Sequence, residues 1–325
     1  MEVSRRLIAQ DPVRYVAATP PGWLNAHSGP AGQAWEQLAL PVAALRHRAS
    51  VIFSPANLAP LAWPGNVLVV HDAAVLRQPR AYSRSYRAWH RGVGLAAARH
   101  ARAVVTVSEF SRRELVELAG LDPARLTVIG GGVDERFSPG DGSADPQAAR
   151  TAAALGLHRP YVLTIATDDP RKNLEALVPC AATLAQRGIE LVWAGDSRSQ
   201  FGRTRPLTGL RALGYVPDEL LVGLYRGAEA FVLPSRYEGF GLTCLEAMAC
   251  GTPVIAADCA ALPEVCGDAA LLVDPDDPSA ITQAVLAVCE DGTRAAQLRA
   301  AGIERARGYT WERAAAACDA LLRAF

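Results

Sequence analysis

The run from Phe231 to Ala257, FVLPSRYEGFGLTCLEAMACGTPVIAA, decides how this chain is read. An apolar strand, Phe231–Pro234, enters a loop that carries Glu238. The loop turns at Gly239-Phe240-Gly241-Leu242 into a helix that carries Glu246, and a second apolar strand, Val254–Ala257, follows. Strand, loop, helix and strand in this order are the repeating unit of a parallel sheet covered by helices. Gly239 and Gly241 leave the backbone at the helix start open to a close ligand. There, N–H groups without intrahelical partners and the helix dipole both favour an anion. Glu238 lies on the loop, and Glu246 about a turn and a half into the helix. A phosphate bound at the helix start would have one carboxylate on each side. Each carboxylate can accept hydroxyl hydrogen bonds worth about 1.5–3 kcal/mol. Polyols flanking a phosphate are the chemistry of a nucleotide sugar.

The rest of the composition narrows the function classes. The 325 residues suffice for two domains, and half of them are apolar. Acidic and basic residues balance at 33 each, which gives no support to nucleic-acid binding. The first residues, Met-Glu-Val-Ser-Arg-Arg-Leu, hold no apolar signal core, and no apolar run is long enough to span a bilayer. Seven cysteines, all after residue 150 and without a C-x-x-C pair, fit reduced thiols in a cytoplasmic protein better than disulfides or zinc. Among the basic residues there is one lysine, Lys172. Arginine replaces lysine on most solvated surfaces, but the two are not equivalent at a compact phosphate site.

Apolar strand candidates recur along the chain: Arg14–Ala18, Val51–Ser54, Val67–Val70, Ala103–Val107 and Leu126–Ile129, then Tyr161–Ala166, Glu190–Ala194, Leu213–Val216, Phe231–Pro234, Val254–Ala257 and Ala270–Val273. Helical patterns such as Glu109–Ala119, Asn173–Arg187 and Glu219–Arg226 separate them. The stretch Phe137–Pro146, rich in Gly, Pro, Ser and Asp, reads as a linker. The expectation is an α/β protein of two doubly wound domains, 1–140 and 141–325. A final amphipathic helix over 309–325, with Trp311, Ala315, Cys318 and Leu322 on one face, is expected to pack back on the N-terminal domain.

Ligands of open α/β sheets bind beyond the carboxyl ends of the strands. Three loops of the second half end there. Thr167-Asp-Asp-Pro-Arg-Lys-Asn173 sets Arg171 and Lys172 beside a helix start, the second loop follows Leu213-Gly-Tyr-Val-Pro217, and the third is the Glu238 loop. A cation from the first loop and helix N–H groups from the third could clasp a diphosphate. At about 4 Å such a cation is worth roughly 4 kcal/mol to an anion at an effective dielectric near 20. Asp168 and Asp169 are adjacent carboxylates in a loop, too few ligands to indicate a metal.

On these residues the second half resembles the C-terminal domain of retaining glycosyltransferases of family 4, which have the GT-B fold. The resemblance rests on Val162-Leu-Thr-Ile-Ala-Thr-Asp-Asp-Pro-Arg-Lys-Asn-Leu174, on Leu213-Gly-Tyr-Val-Pro-Asp-Glu-Leu220 and, most specifically, on the Glu-x7-Glu block from Pro234 to Val254. In the first half Val70-His-Asp72, Val107-Ser-Glu-Phe-Ser-Arg-Arg113 and Val128-Ile-Gly-Gly-Gly-Val-Asp134 also match. The subgroup most resembled builds bacterial polysaccharides and O-antigens, often with mannose. The resemblance implies that Glu238 holds donor-sugar hydroxyls, Glu246 the ribose, and Lys172 with Arg171 the diphosphate. Gly239, Phe240, Gly241 and Leu242 meet the sugar and phosphate through their backbone. Thr167 and Val216 lie on the donor loops, and His71 serves the sugar and acceptor. It also implies a metal-independent, retaining transfer of a hexose, mannose or glucose, from a GDP- or UDP-sugar to a glycan or lipid-linked acceptor, with no cofactor. Two positions depart from the family pattern: Thr167 stands where an arginine is common, and Gly131 where an asparagine is usual. Only 13 residues precede Arg14–Ala18, so the N-terminal domain is expected to lack the family's first strand and glycine-rich loop. A non-catalytic, truncated GT-B protein that binds a nucleotide sugar or a partner is the alternative reading.

From Ala73 to Ser108 no acidic residue occurs, while Arg77, Arg80, Arg84, Arg87, Arg91, Arg99 and Arg102 do. Helical spacing puts Arg80, Arg84, Arg87 and Arg91 on one face, edged by Tyr82, Tyr86 and Trp89. Such a face over 77–102 can lie on an anionic membrane, giving peripheral contact with its cytoplasmic side.

Overall fold

The computed structural model describes residues 2–20, 30–140, 145–195 and 207–325. The chain divides into two compact units, one of Met1–Gly132 with Trp311–Phe325, the other of Val133–Thr310.

The first unit holds four strands, β1 (Ile52–Ser54), β2 (Asn66–Val69), β3 (Ala103–Thr106) and β4 (Leu126–Val128), all parallel and adjacent in chain order. Every residue of β2 and β3 is buried, because helices cover both faces. On one face Leu68 and Val104 meet Leu115, Ala119 and Leu121 around the Glu109–Ala119 helix. On the other, Val67, Val69, Ala103 and Val105 pack with Leu7 of the Glu2–Gln10 helix and with Ala314, Cys318 and Leu322 of the Trp311–Arg323 helix. Arg6 pairs with Glu312, Tyr15 donates to Asp319 over 2.5 Å, and Arg102 lies over the Phe325 ring. The last helix is thus held to the start of the chain at both ends.

The second unit carries a six-stranded parallel sheet of β5 (Tyr161–Ile165), β6 (Glu190–Ala194), β7 (Leu210–Gly214), β8 (Ala230–Leu233), β9 (Val254–Ala257) and β10 (Ala270–Val273), in the order β10-β9-β8-β5-β6-β7. Alternate residues of the central strands serve opposite faces. Leu163, Phe231, Leu233 and Val254 enter one core, and Val162, Val232 and Ile255 the other. The chain winds outward from β5 to β7, returns to β8, and winds outward again to β10. The winding direction reverses between β5 and β8, which makes that seam the topological switch point.

Several sequence expectations are corrected. Arg14–Ala18 forms no strand. Pro12–Arg14 is a turn, Val13 and Val16 are exposed, and Tyr15 is tied to Asp319 instead of a neighbouring strand. The strand expected at Leu213–Val216 lies at Leu210–Gly214, ending where Gly214 takes φ +69°. The helix expected from Asn173 begins as α-helix only at Val178, because Asn173 is left-handed at φ 56° and short 3-10 turns flank it. The chain passes between units at Gly132–Val133, ahead of the Phe137–Pro146 stretch. Phe137 is buried against Tyr225, and the Ser138 carbonyl accepts from Arg226 over 2.7 Å.

The basic stretch is not one helix face. Arg80 sits in a separate turn, Pro79–Ala81. Ser83 then caps the Arg84–Trp89 helix, and a π-turn, His90–Gly94, shifts the register beyond it. Arg77 pairs with Glu114, Arg99 donates to the Ala119 carbonyl and Arg102 stacks on Phe325. Arg80, Arg84 and Arg91 remain exposed, and Tyr86 stacks on Tyr82.

Candidate functional site

The loops after β5 and β8 leave the sheet on either side of the switch point, and they carry Lys172 and Glu238. Three interactions join them. The backbone N–H of Arg236 donates to the Arg171 carbonyl over 2.8 Å. The Asn173 amide donates to the carbonyls of Pro234 (3.0 Å) and Pro275 (2.7 Å). Lys172 Nζ donates to Glu238 Oε1 over 2.7 Å. With side chains only 20% and 14% exposed, these two charges form a largely desolvated pair. Removing one partner of such a pair leaves the other poorly compensated, so it is stable only while both remain or while a ligand replaces one.

Arg171 is used differently. Asp169, fully buried, accepts from the Arg171 backbone N–H (2.9 Å) and from its guanidinium Nε (2.8 Å). The guanidinium is turned back on its own loop, where it neutralises a buried carboxylate, so Lys172 is the cation that meets the Glu238 loop. Thr167 is half-buried at the start of this loop, its carbonyl accepting from the Asp169 N–H (2.8 Å).

Beyond Glu238 the chain turns at Gly241, φ +105°, into the Leu242–Ala249 helix. The backbone angle favours glycine, and a Cβ there would also stand 2.7 Å from Leu262 Cδ2, so the end of that side chain would have to move. No side chain caps this helix, which leaves its first N–H groups for solvent or a ligand. The Glu238 carbonyl accepts from the Ala261 N–H at 3.3 Å, and the Phe240 ring packs edge-on to Tyr309 at 5.7 Å. Phe240 is therefore anchored by its ring. Gly239 and Leu242 complete the turn at the helix start, and Val216 is buried just past β7.

Glu246 lies on the same helix and accepts from the Tyr225 hydroxyl over 2.9 Å. Burial pushes its carboxyl up to about 7 from an ordinary 4.5. The Tyr225 hydrogen bond and Arg136 pull it down, while Asp218 and Asp134 add to the rise. Glu246 therefore changes charge near neutrality, where binding a hydrogen-bond donor or a cation would draw it to the carboxylate.

The second unit thus brings Lys172 and Glu238 together and sets Gly239 to Leu242 and Glu246 on the adjoining turn and helix. His71 lies in the first unit, exposed past the carboxyl end of β2. Its backbone N–H donates to Asn57 Oδ1 (2.9 Å), and Nε2 lies 3.1 Å from the Pro55 carbonyl. Among the described residues no group of three or more His, Cys, Asp or Glu side chains could hold a metal ion. Sequence reasoning missed Asn173 and Tyr225. Asn173 ends the loop over 167–173, where asparagine is a candidate for the left-handed position it takes. Tyr225 carried no signal, since nothing local tells a core tyrosine from one holding a carboxylate.

The comparisons agree with this architecture. Residues 159–291 match the family model "Glycosyl transferases group 1", and residues 4–137 match "Glycosyltransferase Family 4". The chain is 35% identical over 223 residues to the O-antigen chain mannosyltransferase B of Escherichia coli, an alignment of 65% of this chain and 58% of that protein. It therefore spans less than two thirds of that relative's length. Sucrose-phosphate synthase of Thermosynechococcus elongatus superimposes with a TM-score of 0.73 at 24% identity, over 92% of this chain and 82% of that one. Anabaena HepE, solved in complex with UDP and glucose, gives 0.70 at 20% identity, over 92% and 85%. The fold is GT-B, two parallel-sheet α/β domains, and the chain belongs to glycosyltransferase family 4.

Proposed function

We propose that the chain is a retaining hexosyltransferase that moves mannose or glucose from a nucleoside diphosphate sugar to a glycan or lipid-linked acceptor in polysaccharide or envelope glycoconjugate synthesis. The observation that carries this reading is the Lys172–Glu238 pair at the switch point, next to an uncapped helix start and Glu246. A donor diphosphate takes Lys172 from Glu238 and lies against the Leu242–Ala249 helix N-terminus. The released Glu238 accepts sugar hydroxyls and Glu246 accepts ribose hydroxyls. As the bond from the anomeric carbon to the phosphate oxygen breaks, Lys172 and the helix N–H groups stabilise the charge that develops on the leaving diphosphate. The acceptor oxygen bonds to the same face of that carbon. Its proton passes to the leaving phosphate oxygen, so configuration is retained without a covalent enzyme nucleophile.

HepE's complex with UDP supports a nucleotide of this class, and the O-antigen mannosyltransferase supports mannose and a glycan product. We assign His71 to the sugar and acceptor. Among the described residues no helix is long and apolar enough to cross a membrane. We assign contact with an anionic cytoplasmic membrane surface to Arg80, Arg84 and Arg91 with Tyr86. The test is a panel of GDP- and UDP-sugars incubated with the protein, with and without glycan acceptors, and read by NMR for the anomer formed. Release or transfer of one hexose with retained configuration is expected; inversion, or no turnover of any donor, would overturn the reading.

A further inference from the structure

Tyr225 stands outside the Glu-x7-Glu motif, yet its hydroxyl is the described donor to Glu246, Oη to Oε2 at 2.9 Å. The side chain has no freedom to do otherwise. Tyr225 is fully buried on the Asp218–Arg226 helix, and its ring is wedged between Phe137 (centroids 5.8 Å, near-perpendicular) and Phe231 (5.6 Å). Its backbone carbonyl accepts from Thr252 Oγ1 at 2.7 Å, and that carbonyl lies in the same helical turn. A buried phenol needs a hydrogen-bond partner, and the aromatic wedge aims this one at Glu246. Glu246 is itself half-buried, and the second carboxylate oxygen, Oε1, accepts from no side chain or backbone donor among the described residues.

We propose that Tyr225 is a positioning residue for the nucleotide's ribose: by holding Oε2 of Glu246 it fixes the carboxylate with Oε1 directed at a vicinal diol. This rests on the donor reading above. A neutral acid offers a donor and one good acceptor, whereas a carboxylate offers acceptors only, which is what a diol requires. The hydroxyl of Tyr225 favours the carboxylate, together with Arg136 and against Asp218, Asp134 and burial. Its loss therefore moves the titration of Glu246 upward. The cis-diol is then read by a carboxylate whose rotamer and charge are set from behind, by a residue that never touches the ligand.

The test compares the intact protein, Tyr225→Phe, Glu246→Ala and the double variant in calorimetric titrations with GDP, UDP and their 2′,3′-dideoxy analogues across the neutral pH range. Tyr225→Phe is expected to weaken the ribonucleotide about tenfold, the scale of one charge-assisted hydrogen bond. It should leave the dideoxy analogue unchanged, move the midpoint of ribonucleotide binding to higher pH, and add nothing in the Glu246→Ala background, where no acceptor is left for the Tyr225 hydroxyl. In the free protein, 13C NMR of labelled glutamate should show the Glu246 midpoint rising in Tyr225→Phe. Equal weakening of both nucleotides, or unmoved midpoints, would reduce Tyr225 to core packing and overturn the proposal while the donor reading stands. Failure of the intact protein to bind any of these nucleotides overturns the donor reading and the role of Tyr225 with it.

Discussion

Lys172 and Glu238, 66 residues apart in sequence, meet through a 2.7 Å hydrogen bond between Nζ and Oε1 at the seam where the second sheet reverses its winding. On the donor reading proposed above, the pair is the ligand-free form of a site in which a phosphate takes Lys172 and sugar hydroxyls take Glu238. Lys172→Ala and Glu238→Ala are each expected to lower turnover by about 10²-fold or more, the scale of a lost transition-state contact. Initial rates with the preferred donor decide it, and near wild-type rates in either variant would remove that residue from the mechanism.

Glu238→Gln separates the two roles. It frees Lys172 from its internal anion while keeping the side chain's shape. Nucleoside diphosphate should bind more tightly than to the unaltered protein, by severalfold, while transfer falls. Competition binding against the same nucleotide sugar measures both.

Glu246 makes stability depend on pH. Its folded value, about 7, lies above its ordinary 4.5, so the folded state holds the proton more tightly than the unfolded chain does. The stabilising contribution is complete below 4.5 and is lost as pH rises towards and through about 7. By the free-energy equivalent of a pKa unit the loss is at most about 3 kcal/mol. Glu246→Gln keeps an acceptor for Tyr225 and cannot ionise. Urea unfolding of the two proteins at a series of pH values should show the slope in the parent and its absence in the variant.

Asn173 and Gly241 hold the two loops in place by backbone geometry. Asn173→Gly keeps the left-handed conformation but loses the two donors to Pro234 and Pro275, at a cost of about 2 kcal/mol. Asn173→Ala adds left-handed strain of about 1 kcal/mol. Gly241→Ala brings a methyl group 2.7 Å from Leu262 Cδ2 at φ +105° and should cost roughly 1–3 kcal/mol. Chemical denaturation orders the variants, and Asn173→Ala being no worse than Asn173→Gly would contradict the role of φ.

Replacing Arg80, Arg84 and Arg91 together by Ser should reduce co-sedimentation with anionic vesicles and leave donor hydrolysis in solution unchanged. Unaltered co-sedimentation would show that these exposed arginines do not serve a membrane.

Much of the sheet of the second unit was legible because its central strands β5, β8 and β9 are almost wholly buried and read as apolar runs, whereas β7, with no fully buried residue, was misplaced; Val254–Ala257 and Ala270–Val273 have the bounds the sequence implies. Arg14–Ala18 was misread because apolar content alone does not supply strand partners, and here Tyr15 is bonded to a side chain 304 residues away. In the basic stretch, helical spacing could not register a π-turn, which adds a residue to a turn without any sequence mark. Glu238 and Lys172 were visible as residue types in suitable loops. The turn of Arg171 onto Asp169 was not, since whether a guanidinium faces a ligand or its own loop depends on a carboxylate becoming buried.

Whether Lys172 holds a diphosphate beside Glu238 is decided by calorimetric titration of GDP, UDP and their parent nucleosides into the intact protein and Lys172→Ala. One diphosphate should bind the intact protein far more tightly than its nucleoside, and Lys172→Ala should lose most of this advantage while nucleoside affinity is unchanged. Lys172→Ala binding the diphosphate as tightly as the intact protein would contradict that role.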